Sequence, residues 1–139
     1  MACAPARTDQ EAGEAGRVIT FHTGALIALE RRKERAIKVY RAAKAMKEVI
    51  ATPSVTIAEW WRGRTDHRDT IIGGIMVEPV HPELSKLAGL ALASVPRATA
   101  IDAIVMAFAA TRGAVVYTSD VDDLRALTRF FPGVRVLSI

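Results

Sequence analysis

The sequence predicts an α/β fold in which one parallel sheet carries helices on both of its faces. From Arg17 onward, short β-branched or apolar runs alternate with stretches of helical periodicity, and this alternation is typical of right-handed β-α-β crossovers. A chain of 139 residues, half of them hydrophobic, is long enough to bury a single sizeable core. We therefore expect one globular domain.

The elements of the first half follow from local patterns. The β-branched run Val18–Phe21 predicts a strand, and a helix begins near Gly24. Apolar residues at helical intervals, with basic residues between them, predict a second helix over 36–49. After a proline-containing break, residues 54–56 are a short strand candidate, and a third helix is predicted over 57–62.

The middle of the chain continues the alternation. A helix is predicted over 67–75 and an extended segment over 76–77. The next helix, 82–93, has a proline in its first turn, where the missing N–H costs nothing. A further helix is predicted over 101–112, and Gly113 is placed to end it.

The last three elements complete the domain. Residues 114–118 form the clearest strand of the sequence, a helix follows over 121–129, and a final strand is predicted over 134–137. We expect the folded domain to span residues 17–139. Residues 1–16, rich in Ala, Gly and Glu without an apolar core, are expected to be a flexible extension rather than a signal peptide.

Composition and charge narrow the function classes. The single cysteine, Cys3, can form no internal disulfide, and no Cys/His cluster has zinc spacing. No uncharged apolar run approaches the ~18 residues that cross a bilayer, so a cytoplasmic protein is expected. The net charge is +4, and because residues 1–16 carry one arginine and three acidic residues, 17–139 carry +6. A basic domain suits a polyanionic partner.

Four polar or acidic residues from distant parts of the chain are predicted at one edge of the sheet. His22 ends the first strand, Glu59 follows the second, Asp120 follows the clearest strand, and Asp102 opens a helix. Carboxyl ends of parallel strands and the starts of their helices share one edge, where ligands of such folds gather. Converging carboxylates repel unless a cation or a proton neutralises them. Mg²⁺ or Mn²⁺ would suit such a site, and metal-assisted phosphodiester hydrolysis is the matching chemistry.

Each of these residues also has a purely structural interpretation. Asp102 and Asp120 are plausible helix N-caps, and Glu59 a first-turn carboxylate favoured by the helix dipole. His22 taken alone is more typical of a hydrogen-bonded, half-buried histidine than of a metal ligand. Only their predicted convergence on one edge favours a functional site.

Four segments resemble the PIN domain nucleases, and in particular the VapC-type toxins of bacterial type II toxin–antitoxin pairs. The segments are VITFHTGALIALERR, TIAEWWRGR, AIDAIVMAFAATRG and VVYTSDVDDL, and the resemblance covers residues 18–139. In the family the first segment carries an Asp at the position of His22. The other three segments place the family's acidic residues at Glu59, Asp102 and Asp120.

The resemblance implies a three-layer α/β/α sandwich and a Mg²⁺- or Mn²⁺-dependent endoribonuclease acting on RNA. It implies catalytic roles for Glu59, Asp102 and Asp120, with His22 completing the metal ligands, and Thr118 and Ser119 as supporting hydroxyls. It also implies a homodimer that a cognate antitoxin inhibits by occupying the carboxylate groove. Imidazole brings no negative charge, so His22 weakens the field that holds Mg²⁺.

Other residues are candidates for contacts with RNA or protein. Arg62 and Arg64 lie close to Glu59 in sequence and are candidate phosphate contacts, or partners of that carboxylate. The basic stretch over 31–47 is either a solvated helix face or a surface that steers RNA. Of the adjacent Trp60 and Trp61, one is expected in the core and the other at a partner or a base.

Two function classes remain open from the sequence. The first is an enzyme that cleaves RNA by metal-activated water. The second is a PIN-like binding module that dimerises and binds antitoxin or RNA but cleaves little because of His22.

Overall fold

The computed structural model describes residues 16–139. Its five strands form one sheet in the order β3-β2-β1-β4-β5, and every neighbouring pair is parallel. The strands are β1 Val18–Phe21, β2 Val49–Pro53, β3 Met76–Glu78, β4 Val115–Thr118 and β5 Arg135–Ser138. The predicted α/β fold with a central parallel sheet is confirmed.

Seven α-helices connect or flank these strands within the described residues. They are α1 Thr23–Glu30, α2 Glu34–Ala45, α3 Ser54–Trp60, α4 Asp66–Gly73, α5 Pro82–Ser94, α6 Ala100–Thr111 and α7 Val121–Arg125. A 3-10 turn, Ala126–Arg129, follows α7 directly, so the single helix predicted over 121–129 is divided in two.

The sheet separates two hydrophobic cores, which makes the fold a three-layer sandwich. Side chains of α1 to α4 pack with Ile19 and Phe21 of β1 on one face. Side chains of α5 to α7 pack with Val116 on the other face, while the adjacent Val115 belongs to the first core. Successive residues of a strand point to opposite faces, so strands buried on both faces are apolar at nearly every position.

The structure corrects the prediction around the second strand. The strand is Val49–Pro53, not 54–56, and Ser54 instead begins α3. Helix α2 ends at Ala45 rather than at residue 49, and the left-handed φ of 56° at Lys47 turns the chain into the sheet. The run Val49-Ile50-Ala51-Thr52 has both helical and strand character in sequence. Its burial between β1 and β3 decides in favour of the strand.

Caps fix the boundaries of the helix that carries Asp102. The Thr99 hydroxyl accepts a hydrogen bond from the backbone N–H of Asp102 at 3.1 Å, which makes Thr99 the N-cap of α6. At the other end Gly113 has a φ of 116°, as expected for a glycine that ends a helix. A Cβ there would lie 2.5 Å from the carbonyl oxygen of Val18, so the close approach to β1 also requires glycine.

A polar network centred on Glu30 ties α1 to α3 and α4. The Glu30 carboxylate accepts two hydrogen bonds from Arg68, at 3.2 and 3.0 Å, and one from the Trp60 indole N–H at 2.7 Å. The hydrogen bonds from Arg68 are the main reason that the pKa of Glu30 lies below its ordinary value, against the opposing effect of burial. Trp60 is buried, and Trp61, the extended residue directly after α3, packs edge-on against it and is half-exposed.

The remaining organisational predictions concern the chain's termini and hydropathy. Among the described residues, no helix is both long and apolar enough to cross a bilayer. The expected flexible extension of residues 1–16 lies outside the described residues except for Gly16, whose N–H donates to the carbonyl of Lys47 at 3.0 Å. Cys3 also lies outside them.

Candidate active site

The four predicted site residues lie at the carboxyl edge of the sheet. His22 directly follows β1, and Asp120 stands two residues after β4, the neighbour of β1 in the sheet. Asp102 is in the first turn of α6, and Glu59 is in the last turn of α3, the helix that follows β2. Glu59 is therefore not in the first turn of its helix, and the interpretation in which the helix dipole favours it there is wrong.

A chain of hydrogen bonds through His22 joins two of the elements that meet at this edge. The His22 ring is 4% exposed. Its Nε2 lies 2.8 Å from Oδ1 of Asp102, and its Nδ1 lies 2.8 Å from the hydroxyl of Thr118, which is fully buried at the end of β4. The same hydroxyl accepts the backbone N–H of Asp120 at 2.9 Å. His22 thus bridges the start of α6 and the end of β4.

A neutral His22 ring with its proton on Nε2 is compatible with every bond of this chain. With the ring neutral and protonated on Nε2, the N–H donates to the Asp102 carboxylate, and the Thr118 hydroxyl donates to Nδ1 while it accepts from Asp120. The Nδ1 lone pair is then used within the protein, and Nε2 has none. This arrangement leaves His22 no lone pair for a metal ion.

The fourth residue, Glu59, is held by a neighbour of His22. The Thr23 hydroxyl, 8% exposed, donates to Oε1 of Glu59 at 2.5 Å. Sequence reasoning did not single out Thr23. Its position directly after His22, at the turn between β1 and α1, is the signal that could have identified it, because ligands gather where strands end.

The alternative in which Asp102 and Asp120 are simple helix caps does not hold. Thr99 caps α6, and Asp102 sits three residues further on, with its carboxylate on His22. Asp120 occupies the N-cap position of α7 but its side chain makes no capping hydrogen bond. Neither carboxylate therefore caps its helix, and that of Asp102 is bonded to His22.

The predicted ligand set does not fit a divalent ion in this arrangement. Hard cations favour several converging carboxylate oxygens, and the types of side chain at this edge are suitable. However, Asp102 is bonded to His22 and Glu59 to Thr23. Over residues 16–139, no group of three or more His, Cys, Asp and Glu side chains converges closely enough to hold a metal ion.

The two predicted phosphate contacts are engaged within the protein. Arg62 donates to the carbonyl of Trp61 at 2.8 Å and to the carbonyl of Ala58 at 3.3 Å. Arg64 pairs with Asp69 at 2.7 Å. Neither guanidinium pairs with Glu59, the other role considered for them, and both side chains are exposed.

The supporting hydroxyls predicted at 118 and 119 differ in their surroundings. Thr118 is buried within the hydrogen-bond chain, whereas Ser119 is exposed. The Ser119 hydroxyl lies against Gly24 so closely that a Cβ at Gly24 would overlap it. Gly24 therefore lets the first turn of α1 approach the loop that carries Asp120.

Comparison with known proteins identifies the fold. No family model matches the chain, and no curated protein matches it. Among solved structures, the crystal structure of VapBC2 from Rickettsia felis bound to a DNA fragment from their promoter contains a similar chain. The TM-score is 0.71 at 10% sequence identity, over 88% of this chain and 98% of that chain. At this identity the likeness shows the fold alone.

Proposed function

We propose that this chain is a PIN-like toxin-type domain that binds an antitoxin. We further propose that His22 closes its ribonuclease centre, meaning that it prevents a divalent ion from binding there. The carrying observation is the bond between His22 Nε2 and Asp102 Oδ1 at 2.8 Å. In the family that the sequence resembles, an acidic ligand stands at position 22. Here the side chain at that position, His22, instead forms a hydrogen bond with the carboxylate of Asp102.

A groove beside the C-terminal end of α1 suits the partner. It has a volume of about 360 Å³ and lies between α1, α2 and α4. Leu29, Ile37 and Ile71 give it an apolar floor, and Arg32 and Arg41 stand on its rim. An amphipathic antitoxin segment with acidic residues beside its apolar face fits this combination. We propose this groove as the antitoxin site, while the carboxylate groove implied by the resemblance stays a prediction.

The homodimer expected from the resemblance belongs to the same proposal. Met76 and Val77, on the edge strand β3, are 52% and 37% exposed. An edge strand with exposed apolar side chains is a surface that proteins usually cover. Light scattering at tens of micromolar should therefore give the mass of a dimer, and a monomer there would contradict this part of the proposal.

The second candidate function is an active metal-dependent endoribonuclease. The observation in its favour is that Glu59, Asp102 and Asp120 reach the same edge from three separate helices or loops. Mg²⁺ or Mn²⁺ is the cofactor of this candidate and RNA its substrate. It requires these carboxylates to come closer together, since no such group converges on an ion site within residues 16–139.

One pair of measurements separates the two candidates. Mn²⁺ and Mg²⁺ are titrated by calorimetry into the wild type and into His22→Asp, and both proteins are incubated with a labelled single-stranded RNA. A closed centre predicts weak or no ion binding and little RNA cleavage by the wild type. His22→Asp should gain both ion binding and RNA cleavage. Asp102→Asn in the His22→Asp background is the control and should remove the gain. Tight ion binding with cleavage by the wild type would instead establish the second candidate.

A further inference from the structure

A basic cleft lies beside the acidic edge, and the site described above does not use it. It has a volume of about 700 Å³ and is formed where the loop after α5 meets α7 and the 3-10 turn. Three arginines, Arg97, Arg125 and Arg129, line it together with one acidic residue, Asp122. The lining is therefore cationic, in contrast to the carboxylate edge next to it.

Two of these arginines have no acidic partner. Across residues 16–139, no carboxylate lies within ion-pair distance of Arg97 or Arg129. Both side chains are also exposed. Arg125 reaches Asp122 only at 3.8 Å, with side chains 71% and 94% exposed, and such a pair contributes little because water screens it. All three guanidinium groups are thus available to an external anion.

The arginines stand on backbone that the core holds in place. Arg97 lies in a tight turn in which the N–H of Ala98 donates to the carbonyl of Val95 at 3.1 Å, and Val95 is 7% exposed. The segment that carries Arg125 and Arg129 is anchored by Leu124 and Leu127, both fully buried. The anchored backbone keeps the three arginines close together, and several guanidinium groups in one cleft favour an extended anion with several charges over a single small ion.

The cleft also has an apolar part and an outlet. Val95, Pro96 and Ala126 lie in its lining, which gives a base or a sugar an apolar surface while phosphates face the arginines. A smaller recess of about 280 Å³ shares Arg97 and Asp122 with the cleft, and Asp102 and Asp123 also line it. The cleft thus adjoins the carboxyl edge through a recess that carries three carboxylates.

We infer that the cleft between Arg97, Arg125 and Arg129 binds the phosphate backbone of single-stranded nucleic acid. Duplex DNA keeps its bases stacked inside, so it cannot use the apolar lining. The inference rests on the proposed function only in taking nucleic acid as the polyanion. It requires neither a bound metal ion nor cleavage, so its test can fail while the closed centre and the antitoxin groove stand.

The test measures fluorescence anisotropy of a labelled oligouridylate, with a chelator present so that no metal-dependent cleavage can occur. Three phosphate contacts predict a slope of log affinity against log salt of about −2, which is roughly a 20-fold weakening between about 50 and 200 mM salt. In Arg97→Glu with Arg129→Glu the slope should fall to about −0.7, a roughly threefold weakening over the same range. The double Gln variant at the same positions should give the same slope, which separates loss of contacts from added repulsion.

The matched control reverses two exposed cations that lie outside the cleft, Lys86 on α5 and Arg135 on β5, and should bind as the wild type does. Oligothymidylate binding as tightly as oligouridylate would assign recognition to the phosphates, and preference for oligouridylate would assign it to RNA. Far-ultraviolet circular dichroism should be unchanged in every variant. The inference is overturned if the wild type binds no single strand at 50 mM salt, or if it binds duplex DNA more tightly. Equal binding by the Arg97/Arg129 variants, or equal loss in the control, overturns it as well.

Discussion

Replacing His22 by aspartate tests how the carboxyl edge is stabilised without a cation. In the wild type His22 donates to Asp102 at 2.8 Å, and the Asp102 side chain is only 13% exposed. Losing a hydrogen bond to a charged group costs about 2 kcal/mol. Two carboxylates about 5 Å apart at an effective dielectric constant of about 20 repel by roughly 3 kcal/mol.

Partial exposure and relaxation reduce that repulsion, so we expect a total loss of about 4 kcal/mol in His22→Asp, or about 15 °C in Tm for a domain of this size. A divalent ion at about one hundred times its Kd returns about 2.7 kcal/mol, because it binds only the folded form. His22→Asn loses the bond to Asp102 without adding a charge. It should lose only about 2 kcal/mol and gain nothing from the ion.

Thermal unfolding followed by circular dichroism, in chelator and in Mn²⁺, measures these differences for the three proteins. We expect only His22→Asp to be strongly stabilised by Mn²⁺. An equal Tm for wild type and His22→Asp in chelator would refute the bridging role of His22. Equal stabilisation of both by Mn²⁺ would show that the wild-type edge binds metal after all.

Three further substitutions test the fold and the approach to the edge. Gly24→Ala should cost about 1–3 kcal/mol, because its Cβ would overlap the Ser119 hydroxyl and lie 2.9 Å from the Ser119 backbone nitrogen; amide NMR shifts confined to that loop would accompany it. Glu30→Gln should lose about 1 kcal/mol at neutral pH. Because the pKa of Glu30 is lowered by Arg68, the stability it contributes is present above its unfolded pKa of about 4.3 and is lost as pH falls through the lower folded pKa. Urea titrations at several pH values should therefore show the two proteins converging in acid, and a constant difference would contradict the pairing. Phe108→Ala, at a site 1% exposed, should cost about 3–5 kcal/mol in the same urea assay; a loss below 1 kcal/mol would place Phe108 outside the core.

The sequence alone was sufficient for the layer architecture and for the edge at which a site would form. Alternating apolar and helical patterns require parallel strands with helices on both faces, since neither kind of element can bury its apolar surface otherwise. The ends of β1 and β4 then bring residues 22 and 120 to neighbouring positions of one edge. The layer architecture and the position of this edge depend only on local periodicity and on the direction of the chain, and both can be read from the sequence.

Tertiary structure decided the second strand and the partners of the site residues. Residues 49–53 became a strand because β1 and β3 flank them, a contact that no local pattern encodes. His22 bonds to Asp102, 80 residues away, and Glu59 bonds to Thr23. Sequence reasoning could bring these side chains to one edge but not pair them, because pairing depends on ångström-scale distances that the packing of α3 and α6 against the sheet sets.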